Sequence, residues 1–139
     1  MRRLGSVLVL TLLASCSLLP PPAGIQVTIP AAQGVPALPV TIVDHASIVR
    51  GAAPAGRTND VSSDTTVHAV AGRDDQVLLT WIGGACDDRA IVTIDRDAGR
   101  YRVSVTSDSS ATACSAVGIF RTLLLDLTEH VGADAFRPG

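Results

Sequence analysis

The residues able to do chemistry in this 139-residue chain are few: the histidines His45, His68 and His130, twelve aspartates, a single glutamate, Glu129, and the cysteines Cys16, Cys86 and Cys114. The histidines stand 23 and 62 residues apart, so no two have the i,i+4 spacing that sets a pair of metal ligands on one helix face. The aspartates lack the EF-hand pattern with its central glycine and terminal glutamate. A nucleophilic serine would be expected in G-x-S-x-G or S-x-x-K; the chain has neither motif and no lysine, and no cysteine lies beside a histidine. Acid–base work by paired carboxylates needs an apolar setting that raises one pKa, and no pair here is so distinguished. Gly83 and Gly84 are followed by Cys86, Asp87 and Asp88, acids that would repel a phosphate group instead of cradling it. Asp44, His45, Asp87 and Asp88 remain as material for a site assembled from loops, against the plainer reading of exposed turn acids. No metal and no cofactor is expected.

Charge narrows the partners. Eleven basic residues, all arginine, against 13 acids give a net charge of −2, without the clustered cations that release counterions from nucleic acid. Aromatic residues make up 3% of the chain, too few for a base-stacking platform.

The first residues carry an address. Arg2 and Arg3 precede a ten-residue uncharged apolar run, Leu4 to Leu13, the layout of a secretory signal peptide and well short of the roughly 20 residues that span a bilayer. Leu4, Gly5 and Ser6 fit a twin-arginine signal poorly, which favours the general secretory route. Directly behind the run, Leu13, Ala14, Ser15 and Cys16 fill all four lipobox positions, and over these first sixteen residues the sequence resembles bacterial lipoproteins. The resemblance implies a diacylglyceryl group on the Cys16 sulfur, cleavage between Ser15 and Cys16, and acylation of the new amino terminus. Two or three acyl chains anchor durably where one is marginal. An ordinary cleaved signal with a leftover cysteine and an uncleaved amino-terminal helix are the alternatives. Cleavage would leave nine arginines against 13 acids, an acidic mature protein.

Behind the signal (1–15), residues 16–39 read as the lipidated cysteine and a Pro-rich linker, and residues 40–137 as a β-rich domain. Six prolines between Ser17 and Pro39 prevent continuous helix and favour extension; fully extended, the 23 residues reach up to roughly 70 Å. Gln26 to Ile29 alternates well enough for an edge strand. From Pro39 onward the period becomes two. Val40 to Val43 is β-branched, Val67 to Val70 is short and mixed, and Gln76 to Ile82 has apolar residues on both faces, as in a strand buried on both sides. Ala90 to Ile94 and Tyr101 to Thr106 flank a turn-rich cluster ending in Gly99, which predicts a hairpin. Arg121 to Leu127 puts Leu123, Leu125 and Leu127 on one face, although a helical period fits it nearly as well. Asp44 to Arg50 suits a single helical turn, and Ala52 to Thr65 a loop. Short strands separated by turn signals imply an all-β fold, a small antiparallel β-sandwich or open barrel.

With Cys16 assigned to lipid, Cys86 and Cys114 form an even pair in a compartment that permits oxidation, and one disulfide is expected. Redox catalysis is the alternative, but the two make no C-x-x-C motif. The stretch Trp81, Ile82, Gly83, Gly84, Ala85, Cys86, with Cys114, Gly118 and the leucine-rich strand behind it, is similar to uncharacterised envelope lipoproteins of GC-rich bacteria, a resemblance that names no activity. Trp81 is expected to pack as core beside the bridge, with ligand stacking as its alternative role. Gly83 and Gly84 are expected to open a bend or bulge. Together these readings imply a protein lipid-anchored at Cys16 on the extracytoplasmic face of a bacterial membrane. It would be a non-catalytic binding or structural module whose partner is an envelope protein, a glycan or a small ligand, with no nucleic acid. The alternative is a small extracytoplasmic enzyme, hydrolase-like, with its site assembled from loops.

Overall fold

The computed structural model describes residues 23–56, 58 and 63–139; the expected signal peptide and Cys16 lie outside them. Alternating, β-branched sequence makes strands almost everywhere the chain is described: β1 (Ile25–Ile29), β2 (Leu38–Asp44), β3 (Val49–Pro54), β4 (Thr66–Val70), β5 (Arg73–Gly84), β6 (Arg89–Asp97), β7 (Arg100–Asp108), β8 (Gly118–Leu127) and β9 (Phe136–Pro138). They form two sheets, ordered β1-β2-β6-β7-β9 and β3-β8-β5-β4. The fold is an all-β sandwich, not a closed barrel, with one disulfide between Cys86 and Cys114. Two pairings, β2 with β6 and β7 with β9, are parallel, because the chain leaves the first sheet after β2, builds β3, β4 and β5 in the second, and returns as β6.

The period of two decides the core. Leu38, Val40 and Ile42 of β2, Val92 and Ile94 of β6 and Val103 of β7 face Val77 and Leu79 of β5 and Leu123, Leu125 and Leu127 of β8, all fully buried. Full burial of each such side chain is worth about 1.5–3 kcal/mol. The predicted hairpin forms as β6–β7, with Asp97 paired to Arg100 across a two-residue turn. Ala98 and Gly99 have φ of 49° and 79°, the positive values that a type I′ turn requires and that let strands keep their natural twist.

Several boundaries differ from the sequence reading. The expected edge strand forms as β1 and pairs with β2 from Ile25↔Ile42 to Ile29↔Leu38. Residues 25–29 therefore belong to a sheet, and any spacer behind Cys16 is shorter than one reaching Pro39. Asp44 to Arg50 makes no helical turn; the Asp44 carboxylate instead holds a tight turn into β3. That strand takes in Ala52 to Pro54, the first part of the expected loop. β5 is buried along Val77, Leu79 and Trp81, whereas its other face is mixed: Thr80 is buried, Leu78 half-buried and Ile82 38% exposed. Gly83 and Gly84 make no bulge but continue in register with Ile119 and Gly118 of β8. β8 is strand, not helix, because its alternating leucines join side chains of the first sheet in one core, an interface that a period of two fills.

Candidate functional site

The sandwich has two ends, and the side chains singled out by sequence are divided between them. At one end, Asp44 closes the β2–β3 turn: its Oδ1 accepts from the Ala46 N–H at 3.0 Å and its Oδ2 from the Val49 N–H at 2.6 Å. His45 donates its backbone N–H to the Ile94 carbonyl. At the other end, Asp87 Oδ2 accepts from the Gly84 N–H at 2.8 Å, and Asp88 Oδ2 from the Ser110 N–H at 2.9 Å; hydrogen bonding by the Ser110 side chain, and then by its N–H, draws the Asp88 carboxyl below its ordinary pKa. Asp44 pairs with the last part of β6 and Asp88 precedes its first residue, so the length of that strand separates the two acid pairs. They do not form one catalytic site. Replacing Asp44 by alanine is expected to cost about 2 kcal/mol of stability through the loss of two charge-assisted bonds to backbone, measured by urea unfolding. An unchanged midpoint would free Asp44 for a chemical role.

The histidines are also dispersed. His68 Nε2 lies 3.0 Å from Thr80 Oγ1 on the outer face of the second sheet, and His130 Nδ1 lies 2.8 Å from Asp74 Oδ1. Asp74 raises the pKa of His130 in an exposed pair. Among the described residues no group of three or more His, Cys, Asp or Glu side chains is placed to hold a metal.

What the fold does bring together lies at the disulfide end. Trp81 of β5 and Arg121 of β8 are direct cross-strand partners and share the core-facing side, because each has the parity of the buried leucines next to it in its strand. Trp81 is 3% and Arg121 4% exposed. The indole Nε1 and the guanidinium Nε and Nη2 are all buried without a hydrogen-bond partner. Burial pushes the Arg121 pKa down, and the negative charge of Asp87 acts against that through space.

Gly83 is the hub of this region. A Cβ there would sit 2.7 Å from Asp87 Oδ2, 3.6 Å from Trp81 Nε1 and 3.8 Å from Arg121 Cγ. Glycine is thus required for close approach, so that Asp87 can fold back over the strand; it serves no bend.

Two cavities open at this end. One, of about 530 Å³, is lined by Trp81, Gly83, Gly84, Asp87, Ser107 and Pro138 among others. The second, of about 860 Å³, lies between the β1–β2 turn, the end of β3 and the start of β8, with Arg121 in its wall. Thr122 points to the opposite face of β8 from Arg121, as its parity predicts. It is nevertheless buried, because its Oγ1 lies 2.6 Å from the Ala55 and 3.0 Å from the Gly56 carbonyl oxygen. The chain after β3 is thereby tied over the strand and forms one side of the larger cavity.

Sequence reasoning passed over Arg121. The signal was present, since a period of two that buries Leu123, Leu125 and Leu127 also turns position 121 inward. Trp81 was placed correctly in the core. The chain matches no known protein family, no curated protein and no solved structure.

Proposed function

We propose that this chain is a lipoprotein of the bacterial cell envelope, anchored through Cys16 to the extracytoplasmic face of a membrane and acting there as a non-catalytic binding module. The observation that carries the reading is the complete lipobox, Leu13, Ala14, Ser15 and Cys16, directly behind a charged start and an apolar run of signal-peptide length. A thioether-linked diacylglyceryl group holds such a protein at the surface without a spanning segment, each buried CH₂ contributing about 0.8 kcal/mol. The disulfide is consistent with an oxidising compartment.

Support for binding over catalysis comes from the divided acids. Asp44, Asp87 and Asp88 each hold backbone N–H groups, a structural use, whereas the disulfide end of the sandwich offers two open cavities.

The anchoring is tested by growing the native host with a palmitate analogue. The polypeptide is expected to carry the label, and Cys16→Ser to abolish both labelling and maturation. An unlabelled wild-type chain, or unchanged processing of Cys16→Ser, overturns the reading.

A further inference from the structure

Buried polar groups in folded proteins nearly always have partners, and a buried charge without one is among the costliest arrangements a fold can hold. Arg121 is such a case. It is 96% buried, and its Nε and Nη2 both lack an acceptor. These two nitrogens form one edge of the guanidinium, the edge whose parallel N–H bonds match the two oxygens of a carboxylate. Both arginine and the neighbouring Trp81 indole can only donate, so what is missing at this rung of the sheet is an acceptor.

The acid that acts on Arg121 among the described residues, Asp87, does not supply it. Asp87 faces Arg121 closely enough to interact through space, but its Oδ2 is held by the Gly84 N–H and it makes no hydrogen bond to the guanidinium. The larger cavity indicates what could. Its volume of about 860 Å³ lies in the range of small-molecule sites, and among the described residues that line it Arg121 is the charged one, beside the apolar Ile29, Val35, Pro54, Ile119 and Phe120. A buried guanidinium at the edge of a largely apolar space selects a molecule with an anionic head and an apolar body. The negative charge of Asp87 disfavours a doubly charged head, which leaves a carboxylate ahead of a phosphate monoester.

The geometry points to Arg121 as the anchor for a hydrophobic carboxylate, with the acid held by the guanidinium at the cavity wall and the apolar body occupying the cavity between the β1–β2 turn and the start of β8. This inference rests on the binding-module reading and gives it a ligand class.

Trp81 is the only tryptophan in the chain and the cross-strand partner of Arg121, so its fluorescence reports on the site. The full-length chain is titrated with octanoate and with 1-octanol, which share an apolar body and differ in the head. Octanoate is expected to shift Trp81 emission saturably with an affinity at least tenfold above that of 1-octanol. Arg121→Met is expected to erase that preference while leaving 1-octanol binding in place. Arg121→Lys, which keeps the charge without the fork, is expected to retain only a small part of the preference and guards against misfolding of the methionine variant. Equal affinity for the two probes, a preference that survives Arg121→Met, or no saturable response to octanoate would each overturn the assignment. Palmitate labelling at Cys16 is read independently, so loss of the ligand class and loss of the anchored reading are told apart.

Discussion

Replacing Cys86 and Cys114 together by alanine is expected to lower the free energy of unfolding by roughly 3–4 kcal/mol, a large share of the 5–15 kcal/mol typical of a domain. The size follows from what the bridge encloses. The cysteines are 28 positions apart, and between them the chain leaves the second sheet, builds the whole β6–β7 hairpin in the first, and returns. Without the link, the unfolded chain regains the conformational freedom of that loop.

In the folded state the bridge lies just past the last rung of the β5–β8 ladder, Gly84↔Gly118, where the Ala85 N–H also reaches the Val117 carbonyl. Its removal therefore leaves the sheets in place and acts chiefly on the unfolded ensemble. Urea unfolding of the double variant should show a midpoint lower by roughly 2 M, for a slope near 1.5 kcal/mol per M, with the strand signal in circular dichroism retained at zero urea. Superimposable curves for the two proteins would show that the crosslink contributes nothing to stability.

Truncating Leu125 to alanine is expected to cost about 3–4 kcal/mol. β8 is an inner strand of its sheet, and Leu125 pairs with Val77 on one side and Ala52 on the other while its side chain is fully buried against the first sheet. A cavity there cannot be refilled from an edge, which places the loss in the upper part of the roughly 2–5 kcal/mol range for such truncations. The adjacent Asp126 is the internal control. It faces out and accepts from Gln76 Nε2 at 2.6 Å, so its alanine variant should lose no more than about 1 kcal/mol. Measured by thermal or urea unfolding, near-equal losses at the two positions would contradict the inward parity of β8.

That parity also marks how far the sequence was legible. Period-two patterning located β2, β5, β6, β7 and β8, and Gly99 marked the hairpin, because a half-buried strand and a type I′ turn each impose their demand on neighbouring residues alone. Cysteine counting found the bridge. What remained hidden depended on partners distant in the chain. The Asp44 turn resembled helix because an Asx-type bond to backbone and an N-cap use the same side chain. Ile82 looked buried because nothing local tells whether the second face of a strand is covered. Gly83 looked like a bend because its real constraint, the Asp87 carboxylate lying where a Cβ would be, arises only once the chain has turned back on itself. The open end of the sandwich, with Arg121 and Trp81 side by side, exists only after β5 and β8, widely separated in sequence, have paired.

The direction of β1 has a further consequence. The strand starts opposite Ile42, beside the Asp44 turn, and runs toward Leu38 and the cavities. Under the proposed anchoring, the chain behind Cys16 would enter the domain at the pole away from Arg121, after eight residues that would span about 25 Å as a polyproline stretch. The domain would stand with its hollow pole directed outward, so whatever enters it would arrive from the surrounding fluid and not from the lipid leaflet beneath.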